Sequence, residues 1–417
     1  MIQNIKSAWK LPEVRKKLLY TVLLIVIFRL GSFIPVPGVN PSVVSQVAGQ
    51  FDILNFLNLM TGSNFSNYTV FALGIYPYIN ASIIMQLLTI AIPALERLQK
   101  DGGEQGRKKI ERITRVLGIV FAMIMSIGIL LPMGEGAVLP SNIIPRWLSY
   151  ATIGITVTAG TAFLMWISDQ MTNKGIGNGT SFIIFVGIIS GLPQAIMQIF
   201  TLSPWLIILI AVLVLAVITG VVFVDLGERR IPVQYSKRGV GRKMYGGQSS
   251  HIPIKVNANG VMPLIFASTI LSLPGMFAQF WPNSSYAGFY MNWLAAGTWP
   301  YMILNLILII GFAYFYSAIS FNPVELSQHI QATGGYIPGI RPGKPTSDYL
   351  GRISNRLTLF SALFLAIIAS VPTLFSFLGA GAQFGATSVL IMVSVALETD
   401  KAIEANVAMR HYKGFLR

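Results

Sequence analysis

Apolar residues in this chain come in long blocks, without the strict alternation of a half-buried strand or the narrow stripe of a surface helix. The blocks fall near 18–34, 68–92, 115–132, 147–169, 181–200, 205–225, 260–280, 300–320, 355–376 and 384–400. Most approach or exceed the roughly 20 residues that carry a helix across about 30 Å of hydrocarbon. The pattern therefore predicts ten membrane-spanning helices, and nothing in it resembles the alternating segments of a transmembrane barrel. A basic amphipathic stretch from Lys6 to Lys17 leads into the first block, and no small-residue cleavage site follows that block. It is read as a retained span rather than a removed leader.

Composition agrees with this reading. Residues are 53% hydrophobic and 11% charged, with mean hydropathy +0.65, against about 25% charged in an average soluble domain. There is no cysteine, which excludes disulfides, iron–sulfur clusters and thiolate metal sites. His251, His329 and His411 are scattered through polar segments without ligand spacing, and no cofactor or metal is expected.

Charge sets the orientation. The connectors 35–67, 193–204, 275–299 and 377–386 contain no Lys or Arg, and 133–146 contains Arg146 alone. The alternate connectors and both ends take nearly all the rest of the 30 basic residues. By the positive-inside rule the basic face is cytoplasmic, so both termini are expected inside. The net charge of +15 is concentrated on that face, where it attracts anionic lipids. The two largest basic connectors run to about 25 and 35 residues, longer than bundle loops need. They are read as docking surfaces for something large and acidic, such as a ribosome's RNA or another protein.

The spans lack the groups that power transport. Asp169, Asp225, Glu398 and Asp400 sit at expected cytoplasmic ends and Glu135 in an outer loop, so no carboxylate marks a midplane coupling site. Arg29, toward the outer end of the first span, is placed to snorkel. Gly343-Lys344 is followed by Pro345 and lacks the upstream glycine of a phosphate-binding loop. No metalloprotease or hydrolase motif occurs. A secondary carrier and a membrane enzyme are the competing readings; the first lacks its coupling carboxylates and the second its catalytic constellation.

An internal repeat divides the chain. Pro77 to Ile84 reads PYINASII and Pro263 to Ile270 reads PLIFASTI, in the second and seventh spans. Five spans per half make the halves inverted in the membrane. Proline within a span is expected to weaken a turn, and Ala81, Ser82, Ala267 and Ser268 to let helices approach along a seam that opens. Ile79 and Ile265 then occupy equivalent positions. The organisation expected is a basic lead at 1–17, halves at 18–200 and 201–400, long basic loops at about 226–259 and 321–354, and a tail at 401–417. The segment from about 50 to 67 is too polar to span yet crowds Phe51, Ile53, Leu54, Phe56, Leu57, Leu59 and Met60 together. By itself it reads as an amphipathic helix, interfacial or folded inward.

Five motifs carry a resemblance. FALGIYPYINASIIMQLL from Phe71, GIGNGTS from Gly175, ERRIPVQYSKRGVGRK from Glu228 followed by QSSHIPIKVN, GIRPGKPT from Gly339, and FRLGSFIPVPGV at the end of the first span resemble the SecY family. The resemblance implies an all-α membrane protein of ten helices, two pseudo-symmetric inverted halves around a central hourglass pore. Such a channel passes unfolded polypeptide across the bacterial plasma membrane or releases hydrophobic helices sideways into lipid. It implies a pore ring at Ile75, Ile79, Ile184, Ile265 and Ile391, with Thr180 departing from the isoleucine often found a turn before Ile184. It makes the segment around Phe51, Ile53, Leu54, Phe56 and Leu57 a plug. It places a lateral gate on the second, third, seventh and eighth spans, with Asn80 facing Leu273 and Asn178 as a second amide near the constriction. Arg242, Lys243 and Arg341 match positions presented to a ribosome or to the SecA motor, Arg341 being framed by Gly339, Pro342 and Gly343. The partners implied are SecE, SecG, SecA, the ribosome, and precursors with signal sequences.

Overall fold

The computed structural model describes residues 6, 9–48, 52–130, 136–138, 145–200, 203–235, 238–240, 243–245, 249–280, 284–295, 298–377 and 386–414. A helix falls on every apolar block. In chain order these are α1 (Pro12–Gly31), α2 (Pro41–Ala48), α3 (Asp52–Thr61), α4 (Tyr76–Ala91), α5 (Pro93–Lys100), α6 (Gly103–Leu130), α7 (Arg146–Lys174), α8 (Gly179–Ile199) and α9 (Pro204–Leu226). They continue with α10 (Met262–Phe280), α11 (Ser285–Trp293), α12 (Trp299–Ser320), α13 (Pro323–Ala332), α14 (Lys344–Phe377) and α15 (Ala386–Gly414). Among the described residues five helices are long and apolar enough to cross a membrane on their own, and α4 with α5 makes a sixth that bends by 105°. The bend falls at Ile92, which is extended (φ −108°, ψ 110°), because Pro93 disfavours helix in the residue before it.

The second block departs from its expected form. Residues 68–75 are turns apart from an isolated bridge of Thr69 to Pro35, with Tyr68 and Gly74 at positive φ (41° and 56°), and helix begins at Tyr76. Pro77 therefore stands in the first turn of α4, and Pro263 likewise in the first turn of α10. A missing N–H costs nothing there, and the fixed φ favours helix initiation. The repeat marks two helix starts rather than two weakened turns. Prolines lie inside α8 and α10 as well, at Pro193 and Pro274. The last helix runs on to Gly414, through most of the expected tail.

Contacts group the chain into two compact units. The first holds residues 1–207, 269–298 and 395–417. Its core joins Leu54 and Leu57 of α3 to Phe65, Tyr68, Leu73, Tyr76, Met125 and Ile153. Glycines allow the irregular segment to lie against α7: a Cβ at Gly160 would come 2.0 Å from the Val70 carbonyl oxygen. At one end of the helices Arg115 of α6 bridges Glu111 (2.6 Å) and Asp169 of α7 (2.9 Å). Val14, Ile176 and Ile403 form a small core beside the bond that Lys17 Nζ donates to Asn406 Oδ1 (3.1 Å). The Arg29 guanidinium sits 5.6 Å above the Phe33 ring.

The second unit holds residues 208–268 and 299–394. One core packs α9, α10, α12, α14 and α15 through Val221, Leu264, Ile309, Leu365 and Leu390. Outside it the first long basic loop folds into strands β1 (Glu228–Tyr235), β2 (Arg238–Val240), β3 (Lys243–Tyr245) and β4 (Ser249–Lys255). With β5 (Gly335–Tyr336) they form an antiparallel sheet ordered β4-β1-β5 and a separate β2-β3 pair. Ile231 pairs with Ile252 and Pro232 with His251. β5 pairs only with Gln234 and Tyr235, so Pro232, which lacks an N–H, sits where β1 has an open edge. Ile231 and Val233 alternate inward onto Ile254, Ile330, Ile337 and Leu350.

Candidate functional site

Three of the five isoleucines expected at a constriction meet in the first unit. Ile75, Ile79 and Ile184 line one enclosed gap with Phe28, Met60, Thr61, Gly74, Tyr76 and Ile183. All three isoleucines are buried, and the gap measures about 10 Å³, room for about one water. Ile75 reaches it from the residue before α4, Ile79 from the first full turn of that helix, and Ile184 from α8. Ile265 and Ile391 belong to the second unit and are buried there, 5% and 2% exposed.

The short amphipathic segment is folded inward. Helix α3 buries Leu54 and Leu57 in the core of the first unit, and its last residues, Met60 and Thr61, close one side of the gap. Its C-terminal end lies backbone to backbone on α8. A Cβ at Gly187 would stand 2.2 Å from the Met60 carbonyl oxygen, and one at Gly62 would stand 2.4 Å from the Gly187 carbonyl oxygen. Gly62 also needs its freedom for φ 69°. Beyond α3 the chain is tied by Asn64 Nδ2, which donates to Ser32 Oγ at 3.0 Å, and by the Ser66 N–H, which donates to Asn58 Oδ1 at 3.0 Å. Gly187 and Gly191 were not singled out from the sequence. Their signal is the small-x-x-x-small spacing in Gly187-Ile-Ile-Ser-Gly191, the spacing that lets membrane segments approach closely.

The amides separate. Asn80 is buried on α4 and its Oδ1 has no hydrogen-bond partner among the described residues. Asn178 is exposed and caps α8, its Oδ1 accepting from the Thr180 and Ser181 N–H groups at 3.0 and 3.4 Å. Those are local capping bonds, the ordinary use of Asn at a helix start, rather than bonds between helices. Thr180 shares a hydrogen bond of 2.9 Å with Ser168 of α7, so its hydroxyl faces that helix. Phe51 and Arg242 lie outside the described residues, as do the side chains of Ile53, Phe56, Lys243 and Leu273.

In the second unit, Arg341 rides on a turn held from both sides. Gly339 and Gly343 take positive φ (81° and 91°), and two side chains clamp the backbone. Thr346 Oγ1 donates to the Arg341 carbonyl at 2.9 Å, and Ser327 Oγ of α13 donates to the Gly343 carbonyl at 2.8 Å. The glycines were legible in sequence; Ser327, brought in by a neighbouring helix, was not. The turn therefore presents the guanidinium from a fixed backbone.

Comparison with known proteins places this geometry. The SecY family model matches residues 69–400. Protein translocase subunit SecY of Aquifex aeolicus is 42% identical over 430 residues, covering 100% of both chains. The proteins of the same name from Streptomyces coelicolor and Thermotoga maritima are 42% and 39% identical, covering 100% of this chain and 100% and 98% of theirs. The fold is shared with a structure described as a protein conducting channel, at TM-score 0.64 and 21% identity over 95% of this chain and 96% of that one. It is shared too with Sec61 in a canine ribosome-channel complex, at TM-score 0.60 and 20% identity over the same shares. With the matched model spanning Ile75, Ile79, Ile184 and the clamped turn, and full-length relatives at this identity, the chain belongs to the SecY family of multi-pass membrane proteins.

Proposed function

We propose that this chain is a passive protein-conducting channel, passing unfolded secretory polypeptides across the plasma membrane and releasing hydrophobic helices sideways into the bilayer. One observation carries the reading: Met60 and Thr61, at the end of a short helix without Lys or Arg, close an apolar gap lined by Ile75, Ile79 and Ile184. An aliphatic constriction grips an extended chain without binding it tightly and dewets when empty, which blocks ions. In this reading Ile265 and Ile391 complete the ring, α3 is the plug, and both termini are cytoplasmic. The chain has no catalytic site of its own, so a partner supplies the work. Its partners are SecE and SecG as companion subunits, SecA or a ribosome as driver, signal-bearing precursors as cargo, and anionic lipids around it.

The lateral gate runs past Asn80 and Leu273. A buried amide oxygen without a partner costs about 1–3 kcal/mol, which suits a helix face that exchanges partners as a seam opens. Asn178 is left as a helix cap in this reading. Arg242, Lys243 and Arg341 form the driver-binding surface, and the clamped turn around Arg341 supports its part in it.

Three measurements test these assignments. Ile79→Gly combined with Ile265→Gly is expected to raise ion leak through the resting channel several-fold with insertion intact; conductance equal to the parent would remove both from the seal. Arg341→Glu is expected to lower driver affinity by about tenfold or more, since an interfacial charge contact is worth about 1.5 kcal/mol upward, while leaving leak unchanged. Normal driver affinity in that variant would take Arg341 off the surface. In this cysteine-free chain, Asn80→Cys with Leu273→Cys is expected to form a disulfide that blocks export until reduced. Absence of the crosslink would sink the gate geometry.

A further inference from the structure

A carboxylate at the end of a membrane helix is costly unless its oxygens are engaged. Asp225, near the end of α9, is engaged at both. Its Oδ1 accepts from Asn257 Nδ2 and its Oδ2 from Ser394 Oγ, each at 2.7 Å. Asn257 Oδ1 accepts in turn from Ser361 Oγ at 2.9 Å, and Asn259 Nδ2 donates to the Ala313 carbonyl at 2.9 Å. Asn257 and Ser361 are both buried. All of these residues belong to the second unit. The network thus fastens α9, α12, α14 and α15 to the turn that leads into α10.

Two residues of the proposed ring stand on the segments it ties together. Ser394 follows Ile391 on α15 by three positions, close to one turn of helix. Ile265 lies in the first turn of α10, its N–H donating to the carbonyl of Val261 at 3.2 Å, in the turn that Asn257 and Asn259 anchor. A single carboxylate holding two of these segments fixes both the depth and the rotation of each.

We infer that Asp225 is a positioning residue for the constriction, setting through Ser394 and Asn257 where Ile391 and Ile265 stand. The inference rests on the ring reading given above, but its structural half is measurable without it. Ile391→Cys in the otherwise cysteine-free chain serves as a probe, labelled by a small maleimide in the assembled complex in membranes. Asp225→Ala and Ser394→Ala are each expected to change its labelling rate several-fold. Asp225→Asn is expected to keep the parent rate, because an amide can accept from one partner and donate to the other. Asp225→Ala with Ser394→Ala should go no further than Asp225→Ala alone, the signature of one shared interaction. Thr219→Ala serves as the control on α9, where that hydroxyl donates to the Leu215 carbonyl of its own helix. Ion leak through Asp225→Ala channels that retain Ile391 reads the ring separately: altered labelling with unaltered leak upholds the positioning role and removes Ile391 from the seal. Unaltered labelling in membrane-inserted Asp225→Ala and Ser394→Ala proteins overturns the inference.

Discussion

The Met60 carbonyl oxygen occupies the space that a side chain at position 187 would need, and much of the first unit follows from that approach. Two backbones come this close only where small residues stand on both sides, and Gly62 and Gly187 supply them. The contact is held by dispersion and by exclusion of water, with no ion pair among the described residues of α3. Such a contact is dense but not directional. It borders a gap of about 10 Å³ and places no charge at the approach, in a dry environment that strongly penalises unpaired ions.

Around that contact the unit buries an irregular stretch of backbone. Residues 68–75 are not helical, and backbone of this kind exposed to lipid would leave its polar groups unsatisfied. They are covered by α7, which approaches closely through Gly160, and by the core of Leu54, Leu57, Phe65 and Tyr76. Non-helical backbone at membrane depth survives when protein buries it. Ile75 is placed by this stretch, so the gap is shaped partly by a segment that is not a helix at all. The second unit uses different means, hydrogen bonds to the Asp225 side chain and a clamped turn, to fix its own segments.

The ten apolar blocks were legible because burial in lipid needs only uninterrupted apolarity, and each coincides with a helix. The inner structure of the blocks was not. Apolarity does not distinguish turn from helix between residues 68 and 75, and Pro77 was read as weakening a helix that it in fact begins. The sheet of the first long basic loop was hidden by its charges, although the inward alternation of Ile231 and Val233 is visible in ERRIPVQY once sought. Asn178 carries a local capping signal, Asn followed by Gly-Thr-Ser at a helix start, that its place in a family motif obscured. Gly187, Ser327 and Asp225 depend on partners far along the chain, and long-range partners are what a single sequence reveals least.

The most direct test of the account displaces α3 from the gap. A Cβ at Gly187 would stand against the Met60 backbone carbonyl, which has no flexible end that could yield. Gly187→Val, inserted in the membrane with its companion subunits, is therefore expected to raise ion leak through the resting protein several-fold. Leak equal to the parent in fully inserted Gly187→Val protein would contradict the account, because the packing of α3 on α8 would then not be what keeps the proposed channel closed.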